Sequence, residues 1–325
     1  MKAIRLSRFG APDVLKPIDL PVPVPAEGEA LIRMQAAGVN YFEVLIRQDR
    51  YAVKLELPMV LGVEVAGIVE ALGPGVTMPA IGTRVAVPLF AMGRAGGYAD
   101  YVIAEAASLV PLPDGLSFEV AAALMVQGLT ALHLLRRAPP QAKSILINAA
   151  AGGVGSLLIQ LAHSAGARQI IAAAGSAEKL DLARSLGADL GVDYRSAGWT
   201  GHVLAATGGL GVDIAYDLVG GPGTGACLEG LAPAGELVCA AMGRFELGKP
   251  EVEALLGRNQ SVKGFALLPL LTSDTLHADL GDLFAQAMAG SLKVTIGGRF
   301  PLERAAEAHE SLQSRRSVGK LVLVP

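Results

Sequence analysis

A glycine-rich turn between an apolar run and an amphipathic run limits the fold of this chain more than any other feature. The segment 144–167 reads SILINAAAGGVGSLLIQLAHSAGA. The pattern G-x-G-x-x-G falls on residues 150–155, with Ala150 in the place of the first glycine. At the start of a helix, such a turn lets a pyrophosphate approach backbone N–H groups, and the helix dipole favours the anion. We therefore predict a dinucleotide site in which Gly152 gives the close approach and Gly155 lets helix and strand pack closely.

Strand-like and helix-like runs alternate around this turn. The predicted strands are 144–149, 169–174, 212–218, 236–241 and 262–267. The predicted helices are 154–165 and 177–186. This alternation is typical of an α/β domain with a doubly wound parallel sheet.

The first 120 residues have a different pattern, with short strands separated by turns. The predicted strands are 1–6, 29–36, 60–71, 84–89 and 96–103, and a short helix covers 39–47. This spacing indicates a β-rich, barrel-like domain. A long helix then begins with Ser117 as its N-cap, and the chain closes with the strand-like GKLVLVP. Because that last strand can rejoin the first domain, we predict a discontinuous domain, 1–122 with 267–325, around a dinucleotide domain, 123–266.

The composition excludes several classes of protein. A chain of 325 residues that is 52% hydrophobic and has 40 glycines is a folded globular protein. A net charge of -3 without a basic block disfavours nucleic-acid binding. No apolar run reaches the roughly 18 residues of a transmembrane helix, and the N-terminus lacks the apolar core of a signal peptide. The two cysteines, Cys227 and Cys239, form no C-x-x-C pattern, so we expect a reduced, cytoplasmic protein.

The end of the second predicted strand bears on which cofactor binds. An NAD site usually carries an acid there, on the ribose 2′-hydroxyl, whereas this chain has Ala173, Ala174 and Gly175. Ser176 and Lys179 follow, and they could bind a 2′-phosphate through a hydrogen bond and a positive charge. The sequence therefore favours NADPH over NADH. The alternative interpretation is that Ser176 only caps a helix and that Lys179 is solvated.

Short motifs spread over nearly the whole chain carry a resemblance to a known family. They are MKAI (1–4), AAGVN (36–40), LGVEVAGIVEALGPGV (61–76), GGYADYV (96–102), GLTAL (128–132), NAAAGGVG (148–155), LARSLGAD (182–189), GVDIAYDLVGG (211–221) and GKLVLVP (319–325). On these motifs the chain resembles the zinc-independent, zeta-crystallin-like quinone oxidoreductases of the medium-chain dehydrogenase/reductase superfamily. The resemblance implies a GroES-like catalytic domain, a Rossmann domain, an active site in the cleft between them, and a homodimer formed through the edge strand at 262–267.

The resemblance also bears on Glu64, a carboxylate in the apolar run 61–73. Zinc-containing relatives have Cys where this chain has Asn40 and His where it has Val63, and the segment 124–130, where their third ligand falls, holds no Cys, Asp, Glu or His. Zinc needs several N or S donors in a fixed geometry, so we expect no metal. Glu64 is then either a catalytic acid or, as we favour, a structural ion that needs a cationic or hydrogen-bonding partner.

The resemblance implies further roles for individual residues. Asn40 is expected to bind the substrate carbonyl oxygen and Tyr51 to donate a hydrogen bond or proton, although either residue can instead be structural. Leu45 replaces a second family tyrosine, which implies a more apolar pocket wall. The expected cofactor contacts are Thr130 at the nicotinamide amide, Ala150, Gly152, Gly153, Val154 and Gly155 at the pyrophosphate, Ser176, Lys179, Tyr194 and Arg316 (or Arg315) at the 2′-phosphate and adenosine, and Met242 and Gly243 at the nicotinamide ribose.

Three functions remain open at this point. The first is NADPH-dependent hydride transfer, without zinc, to a quinone or a similarly activated carbonyl or enone, since such acceptors take hydride readily without a Lewis acid. The second is reduction of a 2-enoyl thioester or an alkenal, for which Arg47, Arg50 and Lys54 offer basic residues at the mouth of the cleft. The third is a noncatalytic NADPH-binding protein.

Overall fold

The computed structural model describes residues 1–53 and 55–325, which form two compact units. The first unit contains Met1–Leu129 and Leu271–Pro325, and the second contains Thr130–Leu270. The boundaries predicted from the sequence lie a few residues from these.

The helices and strands follow in chain order. The N-terminal part contains β1 (Lys2–Leu6), β2 (Leu15–Asp19), β3 (Glu29–Val39), α1 (Tyr41–Arg47), β4 (Met59–Val60), β5 (Val65–Leu72), β6 (Arg84–Val87), β7 (Tyr101–Glu105), β8 (Val110–Pro111) and α2 (Phe118–Arg137). The middle part contains β9 (Ser144–Ile147), α3 (Gly153–Ser164), β10 (Gln169–Ala174), α4 (Ala177–Ser185), β11 (Leu190–Asp193), α5 (Trp199–Ala206), β12 (Val212–Asp217), α6 (Pro222–Glu229), β13 (Leu231–Cys239), α7 (Lys249–Gly257) and β14 (Ser261–Gly264). The C-terminal part contains α8 (Ser273–Met288), β15 (Ile296–Pro301), α9 (Ala305–Gln313) and β16 (Lys320–Val324).

The first unit is β-rich, as predicted. Its larger sheet has the order β15-β16-β3-β5-β6-β8, and β7 also pairs with β3. The long strand β3 is central to this sheet, because it pairs antiparallel with β5, β7 and β16. Its apolar residues Ile32 and Met34 are fully buried and pack with Val65 and Leu323 from its neighbours. The C-terminal strand β16 therefore rejoins the N-terminal sheet.

The second unit is a parallel sheet with the order β11-β10-β9-β12-β13-β14. This is the strand order of a dinucleotide-binding Rossmann fold, with its switch point between β9 and β12. The predicted doubly wound parallel sheet is thus confirmed. In such sheets the ligand binds at the carboxyl ends of the strands.

Two local predictions have different outcomes. The N-cap at Ser117 is confirmed, because its Oγ accepts a hydrogen bond of 3.2 Å from the Val120 N–H. The single strand predicted over 60–71 is wrong in its first half. The β-structure breaks between Val60 and Val65, so that Glu64 lies just before β5 and not within a strand.

Helix α2 is long and apolar. Among the described residues it is the one helix that could cross a membrane by length and composition, and 61% of its apolar window is buried inside the protein. A core helix of a soluble protein passes the same test.

Candidate functional site

The glycine-rich turn of the second unit joins β9 to α3. Gly152 is the N-cap residue of α3 and Gly153 is its first residue, so the first N–H groups of a 12-residue helix have no partner within the helix. A Cβ on Gly155 would lie 2.5 Å from the Ala149 carbonyl oxygen and 2.8 Å from the Ala150 Cα. Only glycine fits at position 155 without a shift of the turn, and the bare turn suits the pyrophosphate of a dinucleotide.

The end of β10 carries the groups predicted to contact a 2′-phosphate. Ser176 caps α4, since its Oγ accepts a hydrogen bond of 3.3 Å from the Lys179 N–H. Its hydroxyl proton can still be donated, because a hydroxyl both accepts and donates. The Tyr194 ring lies against Gly175, where a Cβ would be 3.1 Å from the tyrosine hydroxyl. Since Ala172–Ala174 close the strand without an acid, the local chemistry fits a 2′-phosphate.

The other predicted cofactor residues lie on three separate segments. Thr130 lies in α2 and is half-buried. Met242 is exposed, and Gly243 has a positive φ of 76°; both lie in the segment after β13. Arg316 belongs to the first unit, where its Nε donates to Ser314 Oγ at 3.0 Å. The roles of these residues as cofactor contacts stay predictions.

The partner of Glu64 is Lys320, at the start of β16. Because Leu321 pairs with Val39 in the β16–β3 ladder, the Lys320 side chain reaches the end of β3. Its Nζ forms a buried ion pair with Glu64 Oε1 and donates to Asn40 Oδ1 at 2.7 Å. Glu64 Oε2 accepts a hydrogen bond of 2.7 Å from the Val126 N–H of α2. Glu64 therefore has the cationic and hydrogen-bonding partners that a structural ion needs.

Asn40 belongs to the same buried network. Its Nδ2 donates to Glu64 Oε1 at 2.8 Å and, more weakly, to Glu43 Oε2 at 3.4 Å. The Asn40 backbone N–H also donates to Glu43 Oε2, at 2.9 Å. The amide hydrogens of Asn40 thus already have acceptors, and its predicted role as the group that binds the substrate carbonyl stays a prediction.

A second buried carboxylate, Glu43, extends this network towards α9. It accepts hydrogen bonds from the Gly62 N–H at 2.9 Å and the Tyr98 hydroxyl at 3.1 Å. The Tyr98 hydroxyl also lies 3.2 Å from His309 Nε2. Burial raises the pKa of Glu43 to about 7 and lowers the pKa of His309 to about 3. Neither Glu43 nor His309 lies in a quoted motif, and GGYADYV contains Tyr98 without indicating that its hydroxyl contacts them.

The two buried groups make opposite contributions to the pH dependence of stability. Between its ordinary pKa of 4.5 and its folded pKa of about 7, Glu43 binds more protons in the folded state, so stability falls as the pH rises. Between about 3 and 6.5, His309 binds more protons in the unfolded state, so stability rises with pH. Between pH 4.5 and 6.5 the two effects oppose each other.

Removal of one group should therefore reveal the other. In His309→Gln, the free energy of unfolding should fall by about 1.4 kcal/mol per pH unit as the pH rises from 4.5 to 6.5, relative to the wild type. In Glu43→Gln the change should have the opposite sign. Urea unfolding at a series of pH values measures both, with His202→Gln, at an exposed histidine, as the control. Profiles parallel to the wild type in both variants would refute this linkage.

Tyr51 is the second predicted catalytic residue. It is half-buried in the first unit, and its ring centroid lies 5.6 Å from that of Phe42. Burial raises the pKa of its phenol. Its role as a donor to substrate stays a prediction. Leu45, the departure from the family pattern, is buried.

The basic residues suggested for a thioester substrate are not equivalent. Arg47 is fully buried, and its guanidinium donates to the Gly10 carbonyl and to Gln313 Oε1. The suggestion that Arg47 lies at an open mouth is therefore wrong. Arg50 is exposed, and Lys54 lies outside the described residues.

The described residues contain no group of three or more His, Cys, Asp or Glu side chains that could hold a metal ion. Where zinc-containing relatives have their cysteine and histidine ligands, Asn40 and Val63 supply no thiolate or imidazole. One oxygen of Glu64 already forms an ion pair with the Lys320 ammonium. The donor set there does not fit a zinc ion.

Comparisons with known proteins agree with this architecture. The model of the alcohol dehydrogenase GroES-like domain matches residues 26–114, and the zinc-binding dehydrogenase model matches residues 186–323. The chain is 36% identical over 332 residues to a quinone oxidoreductase of Pseudomonas aeruginosa, covering 100% of this chain and 99% of that protein.

Solved structures extend the similarity to the whole fold. Escherichia coli quinone oxidoreductase complexed with NADPH matches with a TM-score of 0.92 at 30% identity, over 100% of both chains. A mycobacterial protein complexed with NADPH matches with a TM-score of 0.90 at 35% identity, again over 100% of both chains. The chain therefore belongs to the quinone oxidoreductase family of the medium-chain dehydrogenase/reductase superfamily.

Proposed function

We propose that this protein transfers hydride from NADPH to a quinone or a similarly activated enone, and that it does so without zinc. The named relatives and the NADPH-complexed neighbours support the acceptor class and the cofactor. The observation that carries the proposal is the ion pair between the Lys320 ammonium and the Glu64 carboxylate, because Glu64 is next to Val63, where zinc-containing relatives have a histidine ligand. Without a Lewis acid, acceptors that take hydride readily are favoured.

The name of one matching family model includes zinc binding, and the residues here argue against zinc in this chain. That model covers residues 186–323, whereas Asn40, Val63 and Glu64 lie outside it. An amide and a valine take the places of two zinc donors. In the proposed reaction, therefore, no metal ion acts as a Lewis acid on the substrate oxygen.

In this proposal each residue has a limited task. NADPH, when bound, supplies the hydride. The N–H groups at the start of α3 bind the pyrophosphate, and Ser176, Lys179 and Tyr194 bind the adenosine end. Tyr51 donates a hydrogen bond to the oxygen being reduced. Asn40 releases its longer bond, 3.4 Å to Glu43, to bind that oxygen.

The acceptor class is tested by steady-state oxidation of NADPH with the purified chain. A polycyclic quinone and a 2-enoyl thioester are compared under the same conditions, with NADH as the control. Turnover on the quinone is expected. Turnover on the thioester alone would refute the proposal and favour the enoyl reductase, for which the burial of Arg47 is unfavourable. Tight NADPH binding without turnover on either acceptor would favour the noncatalytic alternative.

The preference for NADPH predicts the effect of one substitution. Lys179→Met should weaken NADPH binding about tenfold, because it removes a charged partner of the 2′-phosphate, and should leave NADH binding unchanged. Fluorescence titration with both cofactors measures the two dissociation constants. Lys249→Met, at an exposed lysine of α7, is the control. An equal loss of affinity for NADPH and NADH would show that Lys179 does not contact the 2′-phosphate.

We also propose a homodimer formed through the β14 edge of the second unit. β14 is the last strand of its sheet, and the adjoining α7 has no buried side chain, with Leu256 68% exposed. Light scattering after size-exclusion chromatography should give twice the chain mass of 33.3 kDa. Val262→Pro, which adds a residue disfavoured within a sheet, should shift the population towards the monomer. A wild-type monomer at micromolar concentration would contradict the dimer.

A further inference from the structure

A third buried carboxylate, Asp217, lies at the carboxyl end of β12. It is fully buried. Its Oδ1 accepts hydrogen bonds from the Asn148 side chain at 2.6 Å and from the Val219 and Gly220 N–H groups, both at 2.9 Å. Its Oδ2 accepts one of 2.7 Å from the Thr224 hydroxyl. Every one of these donors is neutral, so Asp217 serves as an acceptor that fixes a turn.

Asn148 connects this carboxylate to the central strand of the sheet. It follows β9 directly, and its Oδ1 accepts a hydrogen bond of 2.7 Å from the Leu218 N–H. Asp217 and Asn148 together therefore hold the N–H groups of three consecutive residues, 218–220. The conformation of the turn after β12 is set by these two side chains.

The turn at 218–221 holds the loop that follows β13. Gly220 has a φ of 71°, and a Cβ there would lie 2.6 Å from the Arg244 carbonyl oxygen and 2.8 Å from the Ala241 Cβ. The Gly221 N–H donates to the same Arg244 carbonyl. The Asp217 carbonyl oxygen also accepts from the Ala240 N–H at 2.9 Å. The segment 240–244 after β13 therefore packs against the turn that Asp217 holds by hydrogen bonds.

Both loops lie on one half of a dinucleotide-binding sheet. Each half of such a sheet holds one mononucleotide, at the carboxyl ends of its strands. The half with β9, β10 and β11 contains the groups suited to the adenosine 2′-phosphate, so the half with β12, β13 and β14 remains for the nicotinamide mononucleotide. Asp217 ends β12, in the half of the sheet that remains for the nicotinamide mononucleotide.

We propose that Asp217 is a positioning residue that preorders the two loops, 218–221 and 240–244, against which the nicotinamide half of the cofactor binds. This inference rests on the proposed use of NADPH. The carboxylate acts through the backbone that it holds, and it does not itself take part in hydride transfer.

The test separates the two halves of the cofactor. Asp217→Ala should weaken NADPH binding about tenfold to a hundredfold, because the turn must then be ordered when the cofactor binds. The same variant should bind adenosine 2′,5′-bisphosphate, which lacks the nicotinamide half, with unchanged affinity. Isothermal titration with both ligands measures this difference. Equal weakening of both ligands would count against a role specific to the nicotinamide half.

Two further variants keep the test decisive. The NADPH affinity of Asp217→Asn should be within about threefold of the wild-type affinity. The amide oxygen can still accept the three hydrogen bonds that Oδ1 accepts, and the Thr224 hydroxyl can rotate to accept a hydrogen bond from the new amide N–H. If Asp217→Ala does not fold, Gly220→Ala repeats the test, since its Cβ would collide with the Arg244 carbonyl. A loss in Asp217→Asn as large as in Asp217→Ala would overturn the positioning role and indicate that the charge itself is needed.

Asp213 on the same strand provides a matched control. It lies near the amino end of β12, where it accepts hydrogen bonds from the Ser144 N–H at 2.7 Å and Arg168 at 3.0 Å. Asp213→Ala should leave the ratio of the two affinities unchanged. A wild type that binds NADPH but reduces no quinone would refute the proposed function alone. Equal losses of NADPH and bisphosphate affinity in Asp217→Ala and Gly220→Ala would refute the positioning role alone.

Discussion

Replacement of Lys320 by methionine is expected to lower the free energy of unfolding by about 3–5 kcal/mol. Glu64 is 0% exposed, so the substitution leaves a buried carboxylate without its cation. Methionine preserves most of the side-chain volume, which makes the lost charge the main change. Denaturant unfolding of the two proteins measures the difference.

A second substitution separates the charge from the packing. Lys320→Met combined with Glu64→Gln should be more stable than Lys320→Met alone, because no uncompensated charge remains buried. Lys2→Met breaks an exposed lysine–glutamate pair, with Glu303, and should leave the free energy of unfolding almost unchanged. A Lys320→Met protein as stable as Lys2→Met would contradict the assignment of a buried ion pair.

Replacement of Gly155 by alanine is expected to weaken NADPH binding about a hundredfold. The added Cβ would lie 2.5 Å from the Ala149 carbonyl oxygen, so the start of α3 must shift away from the turn that binds the pyrophosphate. A displaced helix terminus loses both its N–H contacts and its favourable dipole at the anion. The dissociation constant of NADPH measures the effect.

Gly201→Ala is the matched control, since Gly201 also lies in a helix of the second unit and has open space where its Cβ would be. This change should leave NADPH affinity unchanged and raise stability by about 0.5–1 kcal/mol. Equal NADPH affinity in Gly155→Ala and the wild type would mean that the turn does not bind the pyrophosphate.

The partner of Glu64 is not predictable from the sequence alone. A carboxylate in an apolar run, with no thiolate or imidazole at the neighbouring zinc positions, indicated a structural ion with an unknown partner. That partner, Lys320, stands in the quoted motif GKLVLVP, yet only the pairing of β16 with β3 brings it to Glu64. Such a pairing joins distant parts of the chain, and periodicity within one strand carries no information about it.

Local signals were more reliable than solitary polar residues. The cap at Ser117 and the close packing at Gly155 follow from short-range geometry, and both were predicted. Helix α6, PGTGACLE, was missed, because glycine and small residues obscure the helical pattern. The buried position of Arg47 is not predictable from the local sequence, because its partners Gly10 and Gln313 are distant in the chain.

The most direct measurement is the quinone-dependent oxidation of NADPH by the purified chain after dialysis against a chelator, with the metal content determined on the same sample. Turnover should persist in the metal-free protein, and kcat/KM should fall at least about tenfold when NADH replaces NADPH. Turnover that disappears on chelation and returns with zinc would contradict hydride transfer without zinc.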